Sequence, residues 1–297
     1  DLVDEAFSVV VPWRWVLGDT PFVDEQNLSQ AAGLLAYPFF KLYALIGGGD
    51  ASGLVLYGRH LYLGLAILAS VCVFLLARRS LPRTLAALVA APFTTLVLFE
   101  TPQLTANALC ALCLTAAAAL GAVAVLGGSR RWALGAGVAF GLAGVAYPTV
   151  LLLTPFIGVL LAFSVGERLV PAPARGIARE VAGERRPASG LRAWRVLSAW
   201  SLGGALVVTP VVALVVLLAG AANLRRSWDY TIALARHLDQ LGGTSKAGEV
   251  ALSFLTLLAD QWYVVAAALG ALAVLRLRPA AGPWLLLLTP PAVWLTG

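Results

Sequence analysis

The 297-residue chain is 60% hydrophobic and only 12% charged, and its mean hydropathy is +0.86. Soluble domains are about half apolar and about a quarter charged, so this composition excludes a soluble globular fold. The net charge of +6 does not indicate a nucleic-acid partner, because the basic residues follow the pattern of membrane topology. We therefore expect an all-α, polytopic transmembrane helical bundle of about eight spans, with the lipid bilayer as a partner.

Both ends of the sequence suggest a piece of a longer chain. The sequence contains no Met, and Asp1 opens directly into an acidic stretch with no hydrophobic segment before it. Gly297 lies inside an apolar run. We expect a further helix before residue 1 and further chain after residue 297.

Residues 1–52 are predicted to form an acidic external loop with short helices. Its carboxylates include the adjacent pair Asp4 and Glu5 and, further on, Asp19 and Asp24. Carboxylates gathered in a low-dielectric cleft need raised pKa values, a cation or a basic partner, and such clusters occur at functional sites. A solvated loop would explain the same residues, so composition leaves both interpretations open.

Apolar runs long enough to cross a bilayer core of about 30 Å recur along the rest of the chain. One run is too long for a single crossing, and Tyr147-Pro148 is its natural break because proline interrupts a helix. The predicted spans are 53–77, 82–99, 104–126, 132–147, 148–165, 196–219, 251–275 and 282–297.

The predicted domain is a single transmembrane unit with two helix groups. Residues 53–165 form the first group, and residues 196–297 form the second. Between them, residues 166–195 are rich in Pro, Gly, Ala, Arg and Glu and lack apolar periodicity, which predicts a cytoplasmic basic linker. Most arginines fall in loops on one side of this arrangement. The positive-inside rule makes that side cytoplasmic and places residues 1–52 and 220–250 on the other face.

The external loop 220–250 is predicted to contain an amphipathic helix that lies on the membrane, because apolar residues recur at helical spacing from Ser227 to Leu241. Arg225, Arg226 and His237 are candidates for binding a lipid phosphate. Anchoring to anionic headgroups alone would also explain these residues. The tryptophans interpreted as interfacial aromatics are Trp13, Trp15, Trp228 and Trp262.

The order of elements in the first 59 residues carries a family resemblance. The acidic pair Asp4-Glu5 is followed by a Gly-Asp-x-Pro-aromatic-x-Asp element at residues 18–24, a short segment containing Pro38, and Arg59 at the start of the next span. This order resembles the first external loop of the C-type (GT-C) membrane glycosyltransferases, the relatives of protein O-mannosyltransferases and of the bacterial aminoarabinose transferase. The segment from Arg131 to Pro148 resembles the mid-chain helix pair of that family.

The resemblance implies transfer of a sugar from a polyprenyl-phosphate donor to an acceptor hydroxyl on a glycan, lipid or protein. Such transfer needs a carboxylate that takes the acceptor proton and cations that hold the departing phosphate. By resemblance, Asp4 is the catalytic base, with Glu5 beside it. Asp24 lies on the acceptor or metal side, and Asp19 is the weaker candidate there because Gly-Asp-Thr-Pro is typical of a turn.

Arg59 is the candidate donor-phosphate residue near the outer end of its span. An ion pair with an acid of the first loop, or extension of the side chain to the interface, would also explain it. The need for a divalent cation, Mg²⁺ or Mn²⁺, is left open by the sequence. If there is one, Asp4 and Asp24 are its candidate ligands.

Two other functional classes compete with the transferase hypothesis. A transporter or lipid flippase would carry ionisable residues deep in several spans and broken helices in matched halves, and the predicted spans hold few such groups. A non-catalytic membrane scaffold would not need the acid density of the first loop. The favoured prediction is an enzyme of a bacterial plasma membrane, with its active site on the extracytoplasmic side.

Overall fold

Helices make up the regular structure of this protein. In the computed structural model no strand occurs among the described residues, which confirms the predicted all-α fold class. The described residues are 2–24, 30–79, 81–87, 89–91, 104–127, 129–155, 157–158 and 189–241. Their helices are α1 (Leu2–Leu17), α2 (Ala31–Gly47), α3 (Leu54–Ala77), α4 (Ala106–Gly127), α5 (Arg130–Ala146), α6 (Ser189–Ala219) and α7 (Ala221–Leu241), with a 3-10 helix (Pro148–Leu153) after α5.

In the described part of the chain, three helices are long and apolar enough to cross a membrane. They are Leu54–Ala77 in α3, Ala106–Leu126 in α4 and Ala193–Ala219 in α6, and they coincide with three of the predicted spans. Only 11% of the most apolar window of α6 is buried inside the protein. A soluble protein could not leave such a helix exposed, whereas a lipid environment suits it. The protein is an integral membrane protein.

The predicted helix break at Tyr147-Pro148 is confirmed. Helix α5 ends at Ala146, and Tyr147 adopts an extended conformation with φ −142°. Pro148 then opens the 3-10 helix, where its missing N–H is not needed by the preceding turn.

Several predictions fall mostly outside the described residues. Residues 83–87 and 89–91 of the predicted span 82–99 are helical. Most of the rest of that span, most of the span 148–165 and residues 166–188 of the predicted linker lie outside the described residues, as do the spans 251–275 and 282–297. Residues 189–195 of the predicted linker are helical and begin α6. The number of spans therefore stays a prediction.

Helix α5 lies at the centre of the described bundle. It contacts α2, α4, α6 and the 3-10 helix. Its sequence after the two leading arginines consists mainly of Ala and Gly, and most of these residues are buried. Small side chains let neighbouring helix backbones approach closely, which is a common basis of helix association in membranes.

The closest helix approach is that between α5 and α6. A Cβ atom added at Gly137 would overlap the carbonyl oxygen of Trp200, and one added at Gly203 would overlap that of Leu134. The ring of Phe140 packs beside that of Trp200, with centroids 5.2 Å apart. The two backbones are therefore in direct contact, and only glycine fits at the crossing.

The contacts between helices show their relative directions. Along α5, Gly137 meets Trp200 and Gly141 meets Gly204, so α5 and α6 run in the same direction. The later halves of α3 and α4 pack together around Val73. Arg79, just after α3, stacks over the ring of Trp132 at the start of α5, 4.8 Å from its centroid. The ends of α3 and α4 and the starts of α5 and α6 thus share one end of the bundle.

The glycine crossing gives a testable prediction. Gly203→Ala should destabilise the protein by about 1–3 kcal/mol, the usual cost of overpacking, because the new methyl group meets backbone that cannot rotate away. Gly204→Ala is the matched control, since its Cβ would lie at an ordinary 3.6 Å from the carbonyl oxygen of Gly137. Thermal unfolding in detergent would show a lower midpoint for Gly203→Ala alone, and equal midpoints for the two variants would contradict this packing.

Candidate functional site

The predicted catalytic pair stands at the start of α1. Asp4 and Glu5 are the third and fourth residues of this helix. The structure describes the backbone of both residues but not their side chains.

Helix α1 packs against α3 at a contact about one turn after the acidic pair. Val9 is 2% exposed, and a Cβ added at Gly58 would lie 3.4 Å from its Cγ2 atom. Glu5 comes one turn before Val9 on α1, and Arg59 directly follows Gly58 on α3. Each helical residue adds about 1.5 Å, so the backbones of the acidic pair lie about 6–8 Å along α1 from this contact. Arg59 itself is half-buried.

Aromatic side chains fix the later part of α1 and the start of α3 to α2. The ring of Tyr43 lies 6.1 Å from that of Trp13 and 4.7 Å from that of Tyr57. The Tyr57 hydroxyl donates a hydrogen bond of 3.0 Å to the carbonyl oxygen of Phe39, and the Tyr43 hydroxyl donates to that of Ser52. These contacts hold Tyr57, which lies two residues before Arg59, against α2.

Two of the tryptophan predictions were wrong. Trp13 and Trp15 are buried inside the protein, with 7% and 8% of their surface exposed, and do not lie at an interface. Trp15 packs against Tyr37 and closes over Gly33 of α2. Trp228 is 51% exposed on α7, as an interfacial residue would be, and Trp262 lies outside the described residues.

The turn after α1 holds Asp19 in a structural role. Gly18 has φ +118°, a conformation open to glycine, and the N–H of Asp19 donates to the carbonyl oxygen of Arg14 at 3.0 Å. The Asp19 carboxylate accepts a hydrogen bond from Arg14 Nε at 2.5 Å. This ion pair closes the end of the helix, which agrees with the turn interpretation of Gly-Asp-Thr-Pro.

Asp24 closes the next turn. Its carboxylate accepts the backbone N–H of Thr20 at 2.7 Å, while its own N–H donates to the Thr20 carbonyl oxygen at 3.3 Å. The side chain remains exposed to solvent. Asp24 is therefore ordered by the turn and still accessible to a ligand.

Phe22 anchors this acidic turn to the second helix group. Its side chain is 2% exposed and packs in a cluster with Val215 of α6 and Leu224 of α7. Its backbone N–H donates to Oε1 of the buried Gln30 at 3.1 Å. Phe22 also has φ +62°, a left-handed conformation that costs a non-glycine residue about 1–2 kcal/mol. Burial and the Gln30 hydrogen bond offset this strain.

Gln30 is a site-supporting residue that the sequence did not reveal. It is 1% exposed and stands directly before α2. A polar residue at such a position usually faces water, so nothing in the local sequence indicates burial. Only the Gly-Asp-x-Pro-aromatic pattern before it pointed to a specialised turn.

Helix α7 carries the second group of cationic candidates. The predicted amphipathic helix is confirmed and begins earlier than expected, at Ala221. Arg225 lies 3.9 Å from Asp229 in an exposed i,i+4 pair, which contributes little stability, and Arg226 is exposed beside it. His237 lies on the same helix about three turns later, and its side chain is outside the described residues.

The candidate residues thus fall into two groups separated by α1. Asp4 and Glu5 lie in the first turn of α1 as described, whereas Asp19 follows its last turn. The rise of an α-helix sets about 20 Å between these two ends. Phe22 ties the Asp19 and Asp24 turn to the start of α7, so these acids share their end of α1 with Arg225 and Arg226.

A comparison with protein families identifies the larger unit to which these residues belong. Residues 35–174 match the family model described as dolichyl-phosphate-mannose-protein mannosyltransferase. Over these residues the chain is similar to the GT-C glycosyltransferases. The predicted family resemblance is thereby confirmed over these residues. No curated protein and no solved structure matched the chain in the corresponding comparisons.

The matched residues 35–174 include some of the candidate residues and not others. It begins within α2 and runs through α3, α4 and α5, so it contains Arg59 and the break after Ala146. Asp4, Glu5 and the acidic turn precede it. Their assignment rests on the packing of α1 against the matched helices.

Among the described residues, no three His, Cys, Asp or Glu side chains lie close enough together to bind a metal ion. The Asp4 side chain is not among those that the structure describes. The prediction of a divalent cation held by Asp4 and Asp24 is therefore not tested.

The anchoring role of Phe22 gives a second prediction. Phe22→Ala should loosen the acidic turn, because truncating a buried phenylalanine costs about 3–5 kcal/mol. The neighbouring Val23→Ala is the matched control, since Val23 is 41% exposed. Limited proteolysis in detergent should cleave the turn of the Phe22 variant much faster than that of the control. Equal cleavage rates would show that Phe22 does not hold the turn.

Proposed function

We propose that this GT-C protein transfers a sugar from a polyprenyl-phosphate donor to an acceptor hydroxyl on the extracytoplasmic face of a bacterial plasma membrane. One observation carries the proposal. Val9 of α1 packs beside Gly58 of α3, which directly precedes Arg59 in the part of the chain matched to the family, and the acidic pair lies about one turn before Val9 on α1. A carboxylate base and a phosphate-binding cation are the two groups that this reaction requires.

Asp4 is proposed as the general base, with Glu5 beside it. As the bond between the anomeric carbon and the phosphate oxygen breaks, the acceptor oxygen bonds to that carbon and its proton passes to the carboxylate. The electron pair of the broken bond leaves with the phosphate.

Arg59 is proposed to hold the departing phosphate. A guanidinium binds phosphate oxygens through two parallel hydrogen bonds, and partial burial strengthens that attraction. Its place one turn into α3 puts it near the membrane surface, where a lipid-linked phosphate would lie. Arg225, Arg226 and His237 lie on α7, at the other end of α1, and are proposed to bind the donor phosphate on its approach to Arg59.

The acidic turn is proposed to form the acceptor side of the site. Asp24 is the better candidate because it is exposed, whereas Asp19 is held by Arg14. Since α1 separates this turn from Asp4 by about 20 Å, we propose distinct roles for Asp4 and Asp24. A divalent cation, Mg²⁺ or Mn²⁺, would be bound by one of these acids with donor oxygens.

The distribution of charge supports the proposed orientation. The described carboxylates lie on or beside α1, the α2–α3 turn and α7, away from the arginines that follow α3 and precede α5. The positive-inside rule places those arginines in the cytoplasm. The acidic end then faces the outside, where a lipid-linked sugar would meet its acceptor.

The proposed base can be tested directly. Asp4→Asn should lower sugar transfer about 100- to 10,000-fold, the usual contribution of a general base, with little effect on donor binding. The assay is transfer from a panel of radiolabelled polyprenyl-phosphate hexoses and pentoses in membranes. Asp50→Asn is the matched control, because Asp50 is an exposed turn acid that accepts the Ser52 N–H at 2.9 Å. Undiminished transfer by Asp4→Asn would remove the proposed base.

The phosphate role of Arg59 predicts a different kinetic change. Arg59→Gln should raise the KM for the donor about 10- to 100-fold, since a hydrogen bond to a charged group contributes about 1.5–3 kcal/mol. Arg59→Lys should recover part of the loss because it keeps the charge without the planar donor pair. The exposed Lys41→Gln on α2 serves as the control. A KM unchanged in Arg59→Gln would show that Arg59 serves packing or topology only.

A further inference from the structure

Five exposed arginines gather at the end of the bundle opposite the acidic turn. We call this surface the arginine end. Three of its arginines follow α3, and two open α5. They are Arg78, Arg79, Arg83, Arg130 and Arg131.

A ring contact joins the two parts of the arginine end. The Arg79 guanidinium lies 4.8 Å from the centroid of the Trp132 ring. Cation–π contact of this kind attracts the cation and fixes the plane of the guanidinium. The backbone also holds the turn, since the N–H of Arg78 bonds to the Phe74 carbonyl oxygen at 2.9 Å and that of Leu81 bonds to Ala77 at 2.9 Å. The positive charges are therefore held close together.

No described carboxylate neutralises this cluster. None of the five arginines forms an ion pair with an acid among the described residues, whose ion pairs involve Arg14 and Arg225 at the other end. Like charges held together repel each other unless an anion lies between them. The arginine end therefore has the electrostatics of an anion-binding surface.

An apolar stripe on α3 leads directly to the arginine end. Leu68, Val71 and Leu75 are about half exposed, and they follow one another at helical spacing along one face. Continuing that spacing from Leu75 reaches Arg78 and Arg79. An acyl chain lying along the stripe would thus place its headgroup among the guanidiniums.

We propose that the arginine end binds the phosphate headgroup of an anionic membrane phospholipid, such as phosphatidylglycerol, with an acyl chain along the α3 stripe. The level of the site favours a lipid over a soluble anion, because it lies where the membrane-spanning helices α3 and α4 end. The planar guanidiniums match phosphate oxygens in bidentate geometry. This lipid is distinct from the proposed sugar donor, which would bind at the opposite end.

The test measures lipid binding by the full chain. The protein is purified in a neutral detergent and titrated with short-chain phosphatidylglycerol or phosphatidylcholine, and bound lipids are counted by native mass spectrometry. The wild type should retain phosphatidylglycerol preferentially. Each arginine near a membrane surface contributes about a fivefold gain in anionic-lipid affinity, so Arg83→Gln/Arg130→Gln should bind phosphatidylglycerol about 25-fold more weakly.

The controls separate lipid binding from general charge and from folding. Both substituted arginines are exposed, and Lys41→Gln on α2 removes a basic residue elsewhere. Arg79→Gln is a second variant, which should also weaken binding through loss of the stacked guanidinium. Equal affinity of the wild type for the two lipids, or undiminished phosphatidylglycerol binding by the double variant, would overturn the proposal. Displacement of the lipid by an equal concentration of inorganic phosphate would also overturn it, since the acyl chain would then contribute nothing.

Discussion

The described architecture depends on the direct backbone contact between α5 and α6. Gly137 and Gly203 remove the side chains that would otherwise hold the two helices apart. In lipid the hydrophobic effect gives no net attraction between apolar helices, so close van der Waals contact must supply much of the association. This crossing links the first helix group to the second. It therefore sets where α7 and the acidic turn meet.

Helix α1 sets the separation between the two groups of candidate residues, and its composition does not suggest this role. Its middle packs against α3 through Val9 and Gly58, and its last turn is closed by the Arg14–Asp19 ion pair. The helix is thus a spacer between a proposed donor region around Arg59 and a proposed acceptor region around Asp24. A lipid-linked sugar and a bulky acceptor could approach such a surface from different sides and meet along it.

Charge is distributed unequally between the two ends of the bundle. The acidic groups lie near buried aromatic and glycine packing that fixes their helices, whereas the arginine end combines exposed guanidiniums with an apolar stripe. Fixed arginines at one membrane surface orient the protein and offer phosphate ligands at the same time. The same physical rule, that a charge near the bilayer needs water or a counter-ion, accounts for both ends.

The sequence by itself determined the membrane class, the helical spans α3, α4 and α6, the break at Pro148 and the family resemblance. These follow from properties that act locally, namely the length of apolar runs, the chemistry of proline and the order of residues in a short motif. The burial of Trp13 and Trp15, the strained Phe22 and the buried Gln30 were decided only by tertiary structure. Each of them depends on a partner distant in sequence, such as Tyr43, Val215 or the backbone of α2, and a local pattern contains no information on which distant surface will cover a given side chain.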